Sequence, residues 1–186
     1  MTEIPAGTHA FGPADGDLRV NVFREGAAAR MGHDLVFGVR NWSAKVTVDP
    51  SDLARSSLEA SAEVGSFSVV ETKGGAKPLS RSDHADIKRN IEEKILNVAR
   101  FPTIDFHSTS VSMAAETRAT LSGELTIAGT TRPVDVVLAV TGDRAKATLT
   151  VVQSEWGIKP FKALMGALKV RDAVDITLDV PLPAAS

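Results

Sequence analysis

Apolar residues in this sequence recur at every second position, in runs separated by turn-forming clusters, which is the period of a β-strand. Eight such segments can be followed along the chain. Leu18, Val20 and Val22 make the first. The second runs Leu35, Phe37 and Val39, then resumes after Asn41 as Trp42, Ala44, Val46 and Val48. Its change of parity predicts a bulge near Arg40 and Asn41. The third carries Leu58, Ala60, Ala62 and Val64, then Phe67 and Val69 in the other parity, so a bulge or bend is expected at Gly65. Ile104 and Phe106 open the fourth, and Leu121, Leu125 and Ile127 form the fifth. Val134, Val136, Leu138 and Val140 form the sixth, and Ala147, Leu149 and Val151 the seventh. Val174, Ile176, Leu178 and Val180, alternating with Asp175, Thr177 and Asp179, complete the set.

One apolar and one polar face per strand is the signature of an antiparallel sheet, because parallel strands are covered on both sides. The links between the later segments are short, at Ala114 to Glu116, Gly129 to Thr131 and Thr141 to Asp143, so neighbours should pair as an up-and-down meander. One stretch departs from the period. Ile87, Ile91 and Ile95 are spaced by four among Lys88, Arg89, Glu92, Glu93 and Lys94, predicting an amphipathic helix over about 83–99 with a Ser or Asp cap. A short rim helix is expected near 161–168, where Phe161, Leu164, Met165 and Leu168 would share a face.

Eight one-sided strands and one substantial helix leave two solutions, a sandwich or a barrel closed on itself, and the meander order favours the all-β barrel. Nothing marks a linker or repeat, so residues 1–186 read as one domain with its core at about 16–182. Small residues at inward positions (Ala44, Ala60, Ala62, Gly123, Ala147) leave room for a cavity, although a dry tapered core uses small residues too.

Composition narrows the classes. With 43% apolar and 24% charged residues, the chain is neither disordered nor fibrous. A formal charge of -2 argues against nucleic acid as a partner, which needs a basic surplus. No window is apolar enough for a transmembrane span, and Met1 to Gly16 has neither Lys nor Arg nor an apolar run, so a cytoplasmic location is expected. The absence of cysteine removes disulfides, thiolate metal sites and thiol nucleophiles together.

Four histidines, His9, His33, His84 and His107, are the candidates for acid–base chemistry. His33-Asp34 suggests a base with its orienter, yet strand neighbours point to opposite faces, so a hydrogen-bonding role at the barrel mouth is expected instead. Asp105 and His107 oppose Ile104 and Phe106 and belong on the outer face, with no third ligand in view for a metal. Asp83-His84 with Asp86 reads as helix capping, and Lys73, Lys77 and Arg81 as a solvated loop able to meet an anionic head group.

Several blocks together resemble the YceI-like, polyisoprenoid-binding family. They are Gly32-His33-Asp34 with Val36-Phe37 and Asn41-Trp42-Ser43, then Arg100-Phe101-Pro102-Thr103-Ile104-Asp105-Phe106, and above all Gly123-Glu124-Leu125-Thr126-Ile127-Ala128-Gly129-Thr130-Thr131-Arg132-Pro133-Val134. Trp156-Gly157-Ile158 stands where that family usually has Phe-Gly, and Asp172 to Ile176 resembles its last strand. The resemblance implies a lipocalin-like eight-stranded antiparallel barrel that holds a long isoprenoid or similar amphiphile, with no catalytic machinery established for the family as a whole.

The residues expected around such a ligand are Phe37, Trp42, Phe67, Phe101, Phe106, Leu125, Ile127, Val136, Leu138, Leu149, Trp156, Ile176 and Leu178. Phe161, Leu164, Met165 and Leu168 would gate the rim, and His33 would meet a head group. The expected function is a carrier rather than an enzyme, with no cofactor or metal and a polyprenyl quinone or polyprenyl lipid as ligand. An enzyme using His33 as base and a dry-cored scaffold are the alternatives, and a homodimer is left open.

Overall fold

The computed structural model describes residues 5–183; the expected domain's ends, 1–4 and 184–186, lie outside the described residues. In chain order the strands are β1 (Gly7–Phe11), β2 (Asp17–Val22), β3 (Arg24–Glu25), β4 (His33–Val39), β5 (Trp42–Val48), β6 (Ser57–Glu63) and β7 (Phe67–Gly74). After the helix α1 (Arg81–Arg89) follow β8 (Thr103–Ala115), β9 (Arg118–Ile127), β10 (Thr130–Thr141), β11 (Arg144–Val152), β12 (Lys162–Ala163), β13 (Leu168–Val170) and β14 (Ala173–Pro181). Eleven of them form one sheet, ordered β1-β5-β6-β8-β9-β10-β11-β14-β2-β4-β7, and β12, β13 and β3 form a small second one. Every pairing is antiparallel.

The expectation of eight strands is corrected to eleven in the main sheet. The second and third segments each break in two, into β4/β5 and β6/β7, where their parity changes. β1, which has no alternating pattern, adds to β5 in the register Gly7↔Val48 to Phe11↔Ala44. The two breaks face each other and satisfy each other's backbone. Arg40 N–H donates to Ser66 O at 3.2 Å and Glu63 N–H to Asn41 O at 2.9 Å. Asn41 N–H donates to Ser66 Oγ at 3.0 Å, and its side-chain amide to Glu63 Oε2 at 3.0 Å. Since β4 runs on into β5 and β6 into β7, the chain ties one end of the strand order to the other. The sheet is strongly curled.

The meander β8-β9-β10-β11 has the short turns expected. At its centre Ala128 and Gly129 both take left-handed φ, 48° and 78°, the geometry that matches the twist of a two-residue hairpin. α1 begins with a reciprocal cap in which Ser80 Oγ accepts from Asp83 N–H at 3.1 Å and Asp83 Oδ2 accepts from Ser80 N–H at 2.7 Å. It continues as a π-helical turn, Asn90–Ile95, so the helical stretch covers 81–95 rather than 83–99. The wide turn lets Leu96 N–H reach Ile91 O at 2.9 Å and swings Leu96 into the core. Asn97, at φ 49°, then ends the helix. Ile87, Ile91 and Ile95 turn inward and are partly buried against the core cluster, as their spacing predicts.

No helix forms over 161–168. Those residues make the β12–β13 hairpin, with a single 3-10 turn, Leu164–Gly166, at its tip. Pairing wins because β13 also joins β3, Lys169↔Glu25 and Val170↔Arg24.

Candidate ligand-binding cavity

The concave face of the sheet is apolar, and between it and α1 lies a cavity of about 800 Å³. Its wall is built of alternate residues from successive strands: Leu18, Val20 and Val22 of β2, Leu35, Phe37 and Val39 of β4, Ile104 and Phe106 of β8, Leu125 and Ile127 of β9. Val136, Leu149, Val151, Val174, Ile176 and Leu178 complete it, with Ala60, Ala62 and Ala147 supplying the room. Ile87, Ile91, Ile95 and Leu96 form the helical side. A volume of this size is within the range of small-molecule sites.

The charged side chains on the wall gather where β4 begins and β7 ends. His33, Arg24, Lys77, Asp83 and Asp86 line that end, together with Met31 and Phe161, which also face solvent, so the cavity opens there. Arg24 braces the opening by donating from Nη1 to Gly32 O at 2.6 Å and to Lys73 O at 3.1 Å. Asp34 is turned away from His33 and accepts from Arg24 N–H at 2.9 Å, as opposite strand faces require. His33 is half-buried with its ring against Gly75, whose φ of 81° and lack of Cβ admit the imidazole. The Asp83 carboxyl is held below the usual carboxylate range, first by the Ser80 N–H and hydroxyl, with smaller attractions from His84 and His33.

Of the side chains expected around a ligand, Phe37, Trp42, Phe67, Phe106, Leu125, Ile127, Val136, Leu149, Phe161, Leu168, Ile176 and Leu178 line this cavity, and His33 lies at its opening. Leu138 does not. It belongs to a separate small void of about 70 Å³ at the far end, between β1, β5 and β10. Trp156 is buried outside the cavity wall, its indole N–H donating to Leu125 O at 3.1 Å. Phe101 is likewise outside, packed on Gly129 beneath the Arg100 guanidinium. The tip of the hairpin turns Leu164 and Met165 into solvent, away from the cavity wall.

The outer-face assignments hold. Asp105 accepts from Ser61 Oγ at 2.6 Å and Thr103 Oγ1 at 2.7 Å, and His107 Nδ1 stands 3.5 Å from Glu59 Oε1 on the exposed side of β8. The sequence did not reveal the wall contributed by β2, nor that Ile87, Ile91 and Ile95 face the cavity. Their spacing marked a buried helix face, but a sequence does not say whether sheet or void lies opposite.

A family model described as YceI-like domain matches residues 19–182. Among solved structures, Burkholderia cenocepacia BcnA superposes with a TM-score of 0.64 at 18% identity, covering 89% of this chain and 94% of that one. The Campylobacter jejuni YCEI protein gives 0.59 at 12% identity, over 81% and 85%. A domain from Saccharophagus degradans, described as polyisoprenoid binding and implicated in plant cell wall breakdown, gives 0.55 at 7% identity, over 96% and 100%. At these identities the structures establish a shared fold. A comparison with curated proteins found no match.

Proposed function

Starting from the chain's membership of the YceI-like domain family, we propose that it is a carrier for a long-chain polyisoprenoid or a similar amphiphile. The apolar chain lies in the cavity and the head group lies at the opening. One observation carries this reading: about 800 Å³ of space walled by aliphatic and aromatic side chains, with charged groups confined to one end. That distribution matches a molecule with a long apolar tail and one polar end.

The mechanism is burial. At roughly 25 cal/mol per Å² of apolar surface removed from water, a tail of several prenyl units gains useful affinity with few polar contacts. Discrimination by chain length is weak, since one methylene is worth about 0.8 kcal/mol. His33 and Lys77 are among the groups at the opening able to donate to a quinone carbonyl or a phosphate. The carrier performs no turnover, and His33 serves as a hydrogen-bond donor.

Native mass spectrometry of the purified protein, paired with organic extraction, tests the proposal. A bound prenyl lipid released by solvent is the expected result. An empty protein that also fails to take up a prenyl quinone would return the choice to a dry scaffold. His33→Gln should change quinone affinity by no more than several-fold, as for one neutral hydrogen bond worth about 1 kcal/mol. Hydrolysis or isomerisation of a lipophilic substrate that this variant abolishes would replace the carrier with an enzyme.

A further inference from the structure

The stretch from Lys159 to Arg171 carries four cations, Lys159, Lys162, Lys169 and Arg171, and no acidic residue. It also holds Phe161, Leu164, Met165 and Leu168. In the fold it becomes the β12–β13 hairpin at the cavity opening, with Met165 fully in solvent at 107% exposure and Leu164 at 53%. Both tip residues hold left-handed φ, 56° and 49°, so the backbone itself directs these two side chains outward.

The neighbouring loop contributes to the same surface. Ala28 N–H donates to Ala167 O at 2.8 Å, and Gly32 packs against Leu168, which sets the 3-10 turn Ala29–Met31 beside the hairpin. Met31 on that turn is 60% exposed and Phe161 39%. Four of the seven large apolar side chains exposed among the described residues therefore lie on these two adjoining loops. A cluster of this kind marks an interaction surface, whereas scattered exposed residues do not.

Charge selects the occupant. Lys169 pairs with Glu25 at 3.1 Å and Arg171 stacks over Phe23, 5.1 Å from the ring centre, whereas Arg30, Lys159 and Lys162 have no acidic partner among the described residues. A second copy meeting this surface about a two-fold axis would set lysines against lysines. Exposed apolar side chains rimmed by unpaired cations match the interface of an anionic bilayer, with apolar groups at the acyl boundary and cations among the head groups.

We propose that the hairpin tip and the Ala29–Met31 turn form a docking surface for an anionic lipid bilayer. Leu164, Met165 and Met31 enter the apolar boundary, and Lys159, Lys162 and Arg30 lie in the head-group layer. Docked in this way, the cavity opening faces lipid, because Met31 and Phe161 are at once part of the exposed patch and part of the cavity wall. An apolar ligand then passes between bilayer and protein without crossing water. The docking itself does not depend on what the cavity holds; only this consequence rests on the carrier reading.

Co-sedimentation of the full chain with vesicles tests it. Binding is expected to phosphatidylcholine vesicles containing phosphatidylglycerol, weaker binding to phosphatidylcholine alone, and weakening as salt is added. Leu164→Ser with Met165→Ser should lower the vesicle partition coefficient roughly tenfold or more. Lys159→Gln with Lys162→Gln should lower it by about fivefold per cation removed and flatten the salt dependence. Both variants should keep the parent melting temperature and the parent quenching by a prenyl quinone in vesicle-free solution, which separates docking from folding and from ligand binding. Unchanged partition in both variants would overturn the proposal. So would a self-association seen by sedimentation velocity that Met165→Ser abolishes while the parent ignores anionic vesicles.

Discussion

Two indoles show how closely related side chains take different parts. Trp156 is buried with its N–H bonded to Leu125 O, whereas Trp42 lines the cavity and its enclosed N–H has no partner among the described residues. A prenyl quinone should therefore quench Trp42: Trp42→Phe is expected to remove most of the quenching and Trp156→Phe to leave it. Chemical denaturation should rank the same variants the other way, with Trp156→Phe the more destabilising by about 1 kcal/mol, since it removes the hydrogen bond to Leu125 O and Trp42→Phe removes none. Asp83 sets a pH dependence. Its folded carboxyl titrates below the unfolded value of about 3.9. The cap's contribution is therefore complete above that value and is lost as the pH falls through the folded one. Carboxyl-resolved NMR titration should show the low value and a partial upward return in Ser80→Ala, which removes the hydroxyl and keeps the backbone N–H. A titration of Asp83 in the ordinary range would remove the cap from the account of α1.

At the scale of elements, the kinks and the rim hairpin decide the shape of the cavity. Cutting Asn41 to Ala should loosen the junction, because it removes the bond to Glu63 while the backbone bonds remain. The hairpin divides by side-chain direction. Phe161 and Leu168 line the cavity, so Phe161→Ala with Leu168→Ala should raise the off-rate of a long-chain ligand in stopped-flow displacement while leaving the barrel folded. Leu164→Ala touches neither core nor cavity and should change stability by no more than about 0.5 kcal/mol. Equal off-rates for the two variants would mean that the gate lies elsewhere, and the 75–80 loop beside His33 is the next place to look.

For the whole molecule, the interior volume is what the carrier proposal depends on, and it can be filled. Ala147 lies between the main cavity and the far void, so Ala147→Phe should displace ligand, read as lost co-extraction of lipid, with the melting temperature kept or raised. Ligand retained at the parent level would place it outside the sheet's concave face. Much of this architecture was legible in the sequence, because a strand buried on one side must alternate, and a break in alternation must bend the chain. Phe37, Phe106, Leu125 and Ile176 could be assigned inward on that ground alone, and the parity changes at Asn41 and Gly65 located both kinks. β1 escaped notice since its pairing to β5 depends on backbone groups that every residue carries. The Phe161–Leu168 spacing suited a helix equally well, until β3 offered β13 a partner that no local pattern announces. Val136 and Leu138 share one alternation, yet only Val136 reaches the main cavity. Alternation fixes the face a side chain takes, while its height along the curled sheet follows from register and strand order, which exist only once distant segments have paired.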